Sequence, residues 1–236
     1  MEAEGLSLFT ELLKRKTSVK QSAIDHTSAA FRLLHTILSE TVERLKSSAE
    51  TTDPHFRLDY RQLSDLDLQL QLGEDILLFT MMPHIFQFDR DHIVWKMPMA
   101  MNEPDSAYCG MINIYNFLSD SLLYHREEDL GYLIGRIFVN KDNFFFVEGK
   151  RQTHYWVNQF GSKVIDRETL EGIVFHAMNY AVEFDLLAPP YDAMKITNVA
   201  QIRQKIESSK IQTGKRLGFS FNSDDVMLNK SKKGAL

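Results

Sequence analysis

The stretch Asp129–Arg151, DLGYLIGRIFVNKDNFFFVEGKR, constrains the fold more than any other part of the chain. Two apolar runs, Tyr132 to Val139 and Phe144 to Val147, flank the tetrapeptide Asn140-Lys141-Asp142-Asn143. Asn and Asp tolerate the left-handed backbone of a tight turn, so the segment predicts a β-hairpin. Successive strand side chains point to opposite faces, so Phe144, Phe145 and Phe146 cannot all share one. Large aromatics on both faces predict a strand covered on both sides, at the centre of a packed sheet.

The remaining segments read as the layers that cover this sheet. From Leu6 to about Ala49 the pattern is helical: Leu8, Leu12 and Val19 lie on one face, followed by Ile24, Phe31, Leu34, Leu38, Val42 and Leu45. Thr17, Ser18 and Gln21 supply capping chemistry, which predicts a break near Lys16. A short coiled-coil seam and a helix laid across a sheet share this stripe, and the sheet-packed reading is preferred. Leu66, Leu68, Leu70 and Leu72 alternate with Asp67, Gln69 and Gln71, a half-buried strand. Turns at Gly73-Glu74 and Met82-Pro83 then predict strands over 75–81, 84–88 and 93–97, an antiparallel meander. Residues 111–124 read as a helix, because fourteen residues without Gly or Pro exceed a typical strand. Asp166 caps a further helix with Leu170, Ile173, Val174, Ala177, Ala181 and Phe184 inward, stopped by Pro189-Pro190. A weaker helix is predicted over 198–210, followed by a loose tail.

The fold class is therefore α+β: an antiparallel meander plus a hairpin, flanked by a long N-terminal helix and by C-terminal helices. Three regions follow, with residues 1–50 helical, 51–190 the sheet core, and 191–236 a short helix and basic tail. The 236 residues can bury a substantial core. The polar, acidic N-terminus and an apolar maximum of only Ile76–Met82 predict neither a secretory signal nor a membrane span. A single cysteine, Cys109, excludes an internal disulfide and a cysteine-based zinc cage, and the expected location is cytoplasmic.

The formal charge of −5 divides unevenly. Residues 51–194 carry eleven basic and twenty-two acidic side chains, whereas residues 195–236 carry nine basic and three acidic. An acidic body disfavours nucleic-acid binding by the body itself and leaves only the basic tail for phosphate contact.

In element order the chain resembles the small α+β fold of the type III secretion chaperones and the YbjN-like proteins. The likeness covers about residues 20–187 and is carried by Asn113-Ile114-Tyr115-Asn116, the Leu130–Arg151 hairpin and the Asp166 helix. It implies a non-enzymatic protein that dimerises or binds partner polypeptides. The longer N-terminal helical region and the segment beyond Pro189 depart from that pattern.

Candidate chemistry is sparse. Glu148-Gly149-Lys150 matches the E-x-K half of a metal-dependent nuclease signature, in which carboxylates hold a divalent ion and Lys orients the nucleophile. A third group would have to come from Asp129, or from Asp75 or Glu74. The opposing reading makes Glu148 and Lys150 solvated residues where a strand leaves the core, since E-x-K alone recurs by accident. His84, His92 and His125 lack helical metal-pair spacing, and His176, Asn179 and Glu183 fit an ordinary wet helix face. Cys109 fits a small core residue, and no P-loop, G-x-S-x-G or G-x-G-x-x-G is present. Arg151, His154, Tyr155 and Trp156 suit base stacking or a protein-binding hot spot, and equally core packing. The preferred expectation is a cytoplasmic protein-binding, adaptor or chaperone-like component, with no cofactor or metal. Its binding residues would be Phe31, Leu38, Arg151, Tyr155 and Trp156. The alternatives are a nuclease built on Glu148 and Lys150, and a nucleic-acid binder acting through the tail.

Overall fold

The computed structural model describes residues 2–49, 56–124, 129–149 and 160–184. Helix α1 runs unbroken over Glu2–Ser48. Strands β1 (Leu58–Gln62), β2 (Asp67–Leu72), β3 (Asp75–Met81) and β4 (Phe86–Gln87) follow. A compact stretch then holds a 3₁₀ turn (Ile93–Lys96), the short α2 (Pro98–Asn102) and a second 3₁₀ turn (Pro104–Ala107). Strand β5 (Tyr108–Leu118), short α3 (Ser119–Leu123), β6 (Tyr132–Asn140), β7 (Phe145–Gly149) and α4 (Arg167–Val182) complete the described chain. The strands form one antiparallel sheet in the order β1-β2-β3-β5-β6-β7, with β4 paired to the start of β5. The fold is α+β.

Alternation along the strands builds two cores. One face carries Leu68, Leu70, Leu77, Phe79, Ile112, Ile137, Phe145 and Val147, packed under Phe31, Leu34, Ile37, Leu38 and Val42 of α1 and Leu170, Ile173 and Val174 of α4. Full burial of each such Leu or Ile contributes roughly 1.5–3 kcal/mol. This face therefore fixes α1 to the sheet over about Ala30–Val42. The opposite face carries Cys109, Phe138 and Phe146, capped at one end by Val94, Ala100, Ala107 and Phe160. Gly110 marks where α1 crosses β5, because a Cβ there would meet the Thr27 side chain.

The hairpin forms as its sequence dictates. Asn140 is fully buried, and its side-chain oxygen accepts the Asp142 and Phe144 N–H groups at 3.0 Å each. Its amide nitrogen donates to the Ser106 carbonyl at 3.3 Å, and Asn143 takes the left-handed conformation at φ 63°. Phe145 and Phe146 are buried on opposite faces, as expected.

Several expectations need correction. Among the described strands the hairpin is not central, since β7 ends their order and β3 and β5 occupy the middle. Both faces of β7 are nevertheless covered, because each of the two cores reaches that end of the sheet. The expected helix over 111–124 is instead β5 and the one-turn α3. Pairing of β5 with β3 on one side and β6 on the other outweighs the length argument, and a bulge at Ile114/Tyr115 accommodates the long strand. The 93–97 strand is a 3₁₀ turn whose His92 side chain caps the Val94 N–H. The 84–88 strand shrinks to Phe86–Gln87, and β1 went unread because LDYRQ has no clean alternation. No break occurs near Lys16, since Thr17 and Ser18 face water and nothing nearby interrupts the helix. The predicted 198–210 helix and the basic tail lie outside the described residues.

Candidate functional site

Two places concentrate chemistry: the end of β7 that carries Glu148, and the N-terminal part of α1. Glu148 lies opposite Arg136 of β6 on the sheet face that faces the 3₁₀ segment. Its Oε2 lies 2.5 Å from Arg136 Nη2, and its Oε1 lies 2.6 Å from His92 Nε2. His92 Nδ1 accepts the Val94 N–H at 3.2 Å. Nε2 therefore carries the ring proton and donates it to Glu148. Phe88 stacks on the imidazole at 4.5 Å between ring centres, and Phe146 meets it edge-on at 5.6 Å. With Phe86, Met111 and Phe138, the side chains of Phe88, His92, Arg136 and Glu148 border an open cleft of about 210 Å³. That volume falls below the range usual for a small-molecule site. Both imidazole nitrogens and Glu148 Oε1 are hydrogen-bonded, while Oε2 is buried beside Arg136 as an ion pair without a well-aligned hydrogen bond, so His92 ties β7 to the 3₁₀ segment and Arg136 supplies the countercharge.

The other nuclease candidates lie elsewhere. Asp129 accepts the Ser121 hydroxyl at 2.8 Å and precedes β6, beyond the point where Gly149 pairs with Gly135. Asp75 begins β3 opposite Leu118, and two strands separate β3 from β7, on the order of 14 Å at sheet spacing. Glu74 precedes it at the β2–β3 turn. The structure does not bring Asp129 or Asp75 to Glu148. No group of three or more His, Cys, Asp or Glu side chains suited to a metal ion occurs among the described residues. Lys150, Arg151, Tyr155 and Trp156 lie outside them.

Phe31 and Leu38, expected as partner-binding positions, are buried in the chain's own core at 4% and 0% exposure. They lie on the α1 stripe that packs on the sheet, as the sheet-packed reading of that stripe expects, and so are not open to a partner. Cys109 is buried, and burial raises its thiol pKa, which makes it a poor nucleophile. No helix among the described residues is long and apolar enough to cross a membrane.

The N-terminal part of α1 is different. Between Glu4 and Ser18 every residue except Lys16 is exposed, and the first buried side chain is Val19. This arm is about 22 Å long at the helical rise. It nevertheless carries Leu6, Leu8, Phe9, Leu12 and Leu13, which are 47–68% exposed. At about 100° per residue these five fall within an arc of roughly 160°, an amphipathic face that stays largely exposed. Two contacts brace its base: Arg15 Nε pairs with Asp105 at 3.4 Å, and Lys16 lies 4.1 Å over the Tyr108 ring. The sequence already showed Leu8 and Leu12 as helical and apolar. Periodicity could not show that the sheet ends before reaching them.

Compared with family models, curated proteins and solved structures, the chain matches none of them, so its function must be read from its own geometry.

Proposed function

We propose that this chain is a protein-binding component of a larger assembly, an adaptor or chaperone-like module of the cytoplasm, that engages its partner through the helical arm of α1. The observation that carries this reading is the arm itself. Five large apolar side chains on one helical arc stay 47–68% exposed while the same helix buries Phe31, Leu34, Ile37 and Leu38 a few turns later. Contiguous exposed apolar surface of this kind costs solubility unless a partner covers it. An amphipathic helix presenting i, i+3 and i+7 anchors is a recurring means of docking into a groove or against another helix. The chemistry at Glu148 supports the same direction, since His92 and Arg136 already hold its carboxylate.

The test is tagged capture from native lysate treated with nuclease, comparing wild type with Leu8→Asp/Leu12→Asp. The expected result is a stoichiometric polypeptide partner retained by wild type and lost in the variant, whose circular dichroism is unchanged. Retention of the same proteins by the variant would refute the arm as the docking element. Recovery of nucleic acid alone would instead favour the basic tail. Magnesium-dependent cleavage lost in Glu148→Ala would favour the nuclease alternative.

A further inference from the structure

Resting on the reading of the arm as a docking element, we infer that its occupant is a second copy of the same arm, lying antiparallel. Charge along the arm decides the orientation. Residues 4–11 carry Glu4 and Glu11 and no base, whereas residues 14–20 carry Lys14, Arg15, Lys16 and Lys20 and no acid. A parallel pair would set like charge against like charge over the whole arm. An antiparallel pair sets the acidic end of each copy against the basic end of the other.

The register follows from the apolar positions. A crossing centred between Phe9 and Thr10 places Leu6 opposite Leu13 and Glu4 opposite Arg15, and the two-fold axis repeats both pairs. Glu4 and Arg15 lie along the same border of the apolar arc, about 20° apart in helical projection. An antiparallel two-fold brings that border against its own counterpart. Arg15 keeps 61% of its side chain exposed beside Asp105, so it has room for a second carboxylate. The paired stretch of each copy, residues 4–15, then stops short of Val19, the first buried side chain of the helix. The overlap thus uses the length of helix that the sheet leaves uncovered.

Five side chains burying about 100 Å² each give on the order of 1,000 Å² for the pair. That lies at the low end for a specific interface, so the dimer is expected to dissociate on dilution through the micromolar range.

The experiment is sedimentation velocity of the full chain from about 1 to 100 μM, for wild type, Leu13→Asp, Glu4→Arg and Arg15→Glu. Wild type should pass from monomer to dimer, and Leu13→Asp should remain monomeric throughout. Glu4→Arg and Arg15→Glu should each dissociate about tenfold more readily, because each creates two like-charge pairs. Mixed one to one, these two variants should regain wild-type association, since both pairs become opposite in sign. A monomeric wild type overturns the inference, as does a dimer that survives Leu13→Asp or a mixture no tighter than its components. A monomeric wild type whose arm still captures a foreign polypeptide overturns only the second copy. A monomeric wild type whose capture ignores Leu8→Asp/Leu12→Asp overturns the docking arm as well.

Discussion

Replacing Gly110 by alanine tests whether α1 crosses the sheet where the structure puts it. The added methyl would lie 2.1 Å from Thr27 Oγ1 and 2.8 and 2.9 Å from its Cβ and Cγ2. Thr27 is 2% exposed and its hydroxyl donates to the Ala23 carbonyl at 2.6 Å, so the side chain has no open space to rotate into. The helix must lift instead. Overpacking of this kind costs about 1–3 kcal/mol, and the contact at Cβ, which no rotamer relieves, sets the expectation near 3 kcal/mol. For a chain of this size that lowers Tm by roughly 6–12 °C. Thr27→Gly removes all three clashing atoms at a cost of about 0.5 kcal/mol in helix propensity, plus the lost packing. In that background Gly110→Ala should cost under about 1 kcal/mol, a coupling of about 2 kcal/mol between the two sites. Urea unfolding of the four proteins, followed by circular dichroism, measures the cycle. An equal cost of Gly110→Ala in both backgrounds, or no cost in wild type, would refute the crossing.

Other sites give further expectations. Asn140→Ala strips the acceptor from the Asp142 and Phe144 N–H groups and the donor from the Ser106 carbonyl, and should cost about 2–3 kcal/mol in urea unfolding. Asp166 caps α4 by accepting the Thr169 N–H at 2.8 Å, so Asp166→Ala should cost about 1 kcal/mol at neutral pH. Burial alone would raise the Asp166 carboxyl pKa, but the Thr169 hydrogen bonds and the Lys163 charge outweigh it and hold the carboxyl below its ordinary value. A depressed folded pKa gives stability that is present above the unfolded value near 4 and is lost as pH falls through the folded one. The difference in urea midpoint between wild type and Asp166→Ala should therefore narrow from pH 6 to pH 3, and a constant difference would count against the cap's charge. At the β7 end, Glu148→Gln weakens the ties to His92 and Arg136 and should cost about 1 kcal/mol. Millimolar magnesium should leave the Tm of wild type unchanged, and a rise abolished in Glu148→Gln would show a metal site there.

The legibility of this chain in its sequence followed the range of the forces involved. The Asn140 turn, the Asp166 cap and the alternation of Leu68, Leu70 and Leu72 were readable because each rests on residues a few positions apart. The identity of β5 was not, since its strand state depends on β3 and β6, and its apolar residues fit a helix face equally well. The place of β7 at the end of the described strand order was hidden for the same reason: Phe144-Phe145-Phe146 reports two covered faces and says nothing about lateral neighbours. At the candidate sites, Glu148 was noticed, but its partner His92 lies 56 residues away and no local pattern links them. In α1, periodicity found the stripe from Leu8 to Leu45. Only the length of the sheet decides that Phe31 and Leu38 are core while Leu6, Phe9 and Leu13 face outward.

The most direct test of the docking arm is amide hydrogen exchange resolved along α1, at dilute and at high protein concentration. A helical arm without tertiary support frays, whereas one packed against a partner holds its hydrogen bonds. Residues 30–42 should be protected under both conditions, because their inward side chains are packed in the core against the sheet. Residues 4–18 should exchange rapidly when dilute and slow at least tenfold when concentrated, with the slowing abolished in Leu13→Asp. Arm exchange that is the same at both concentrations, or unaltered by Leu13→Asp, would contradict the account.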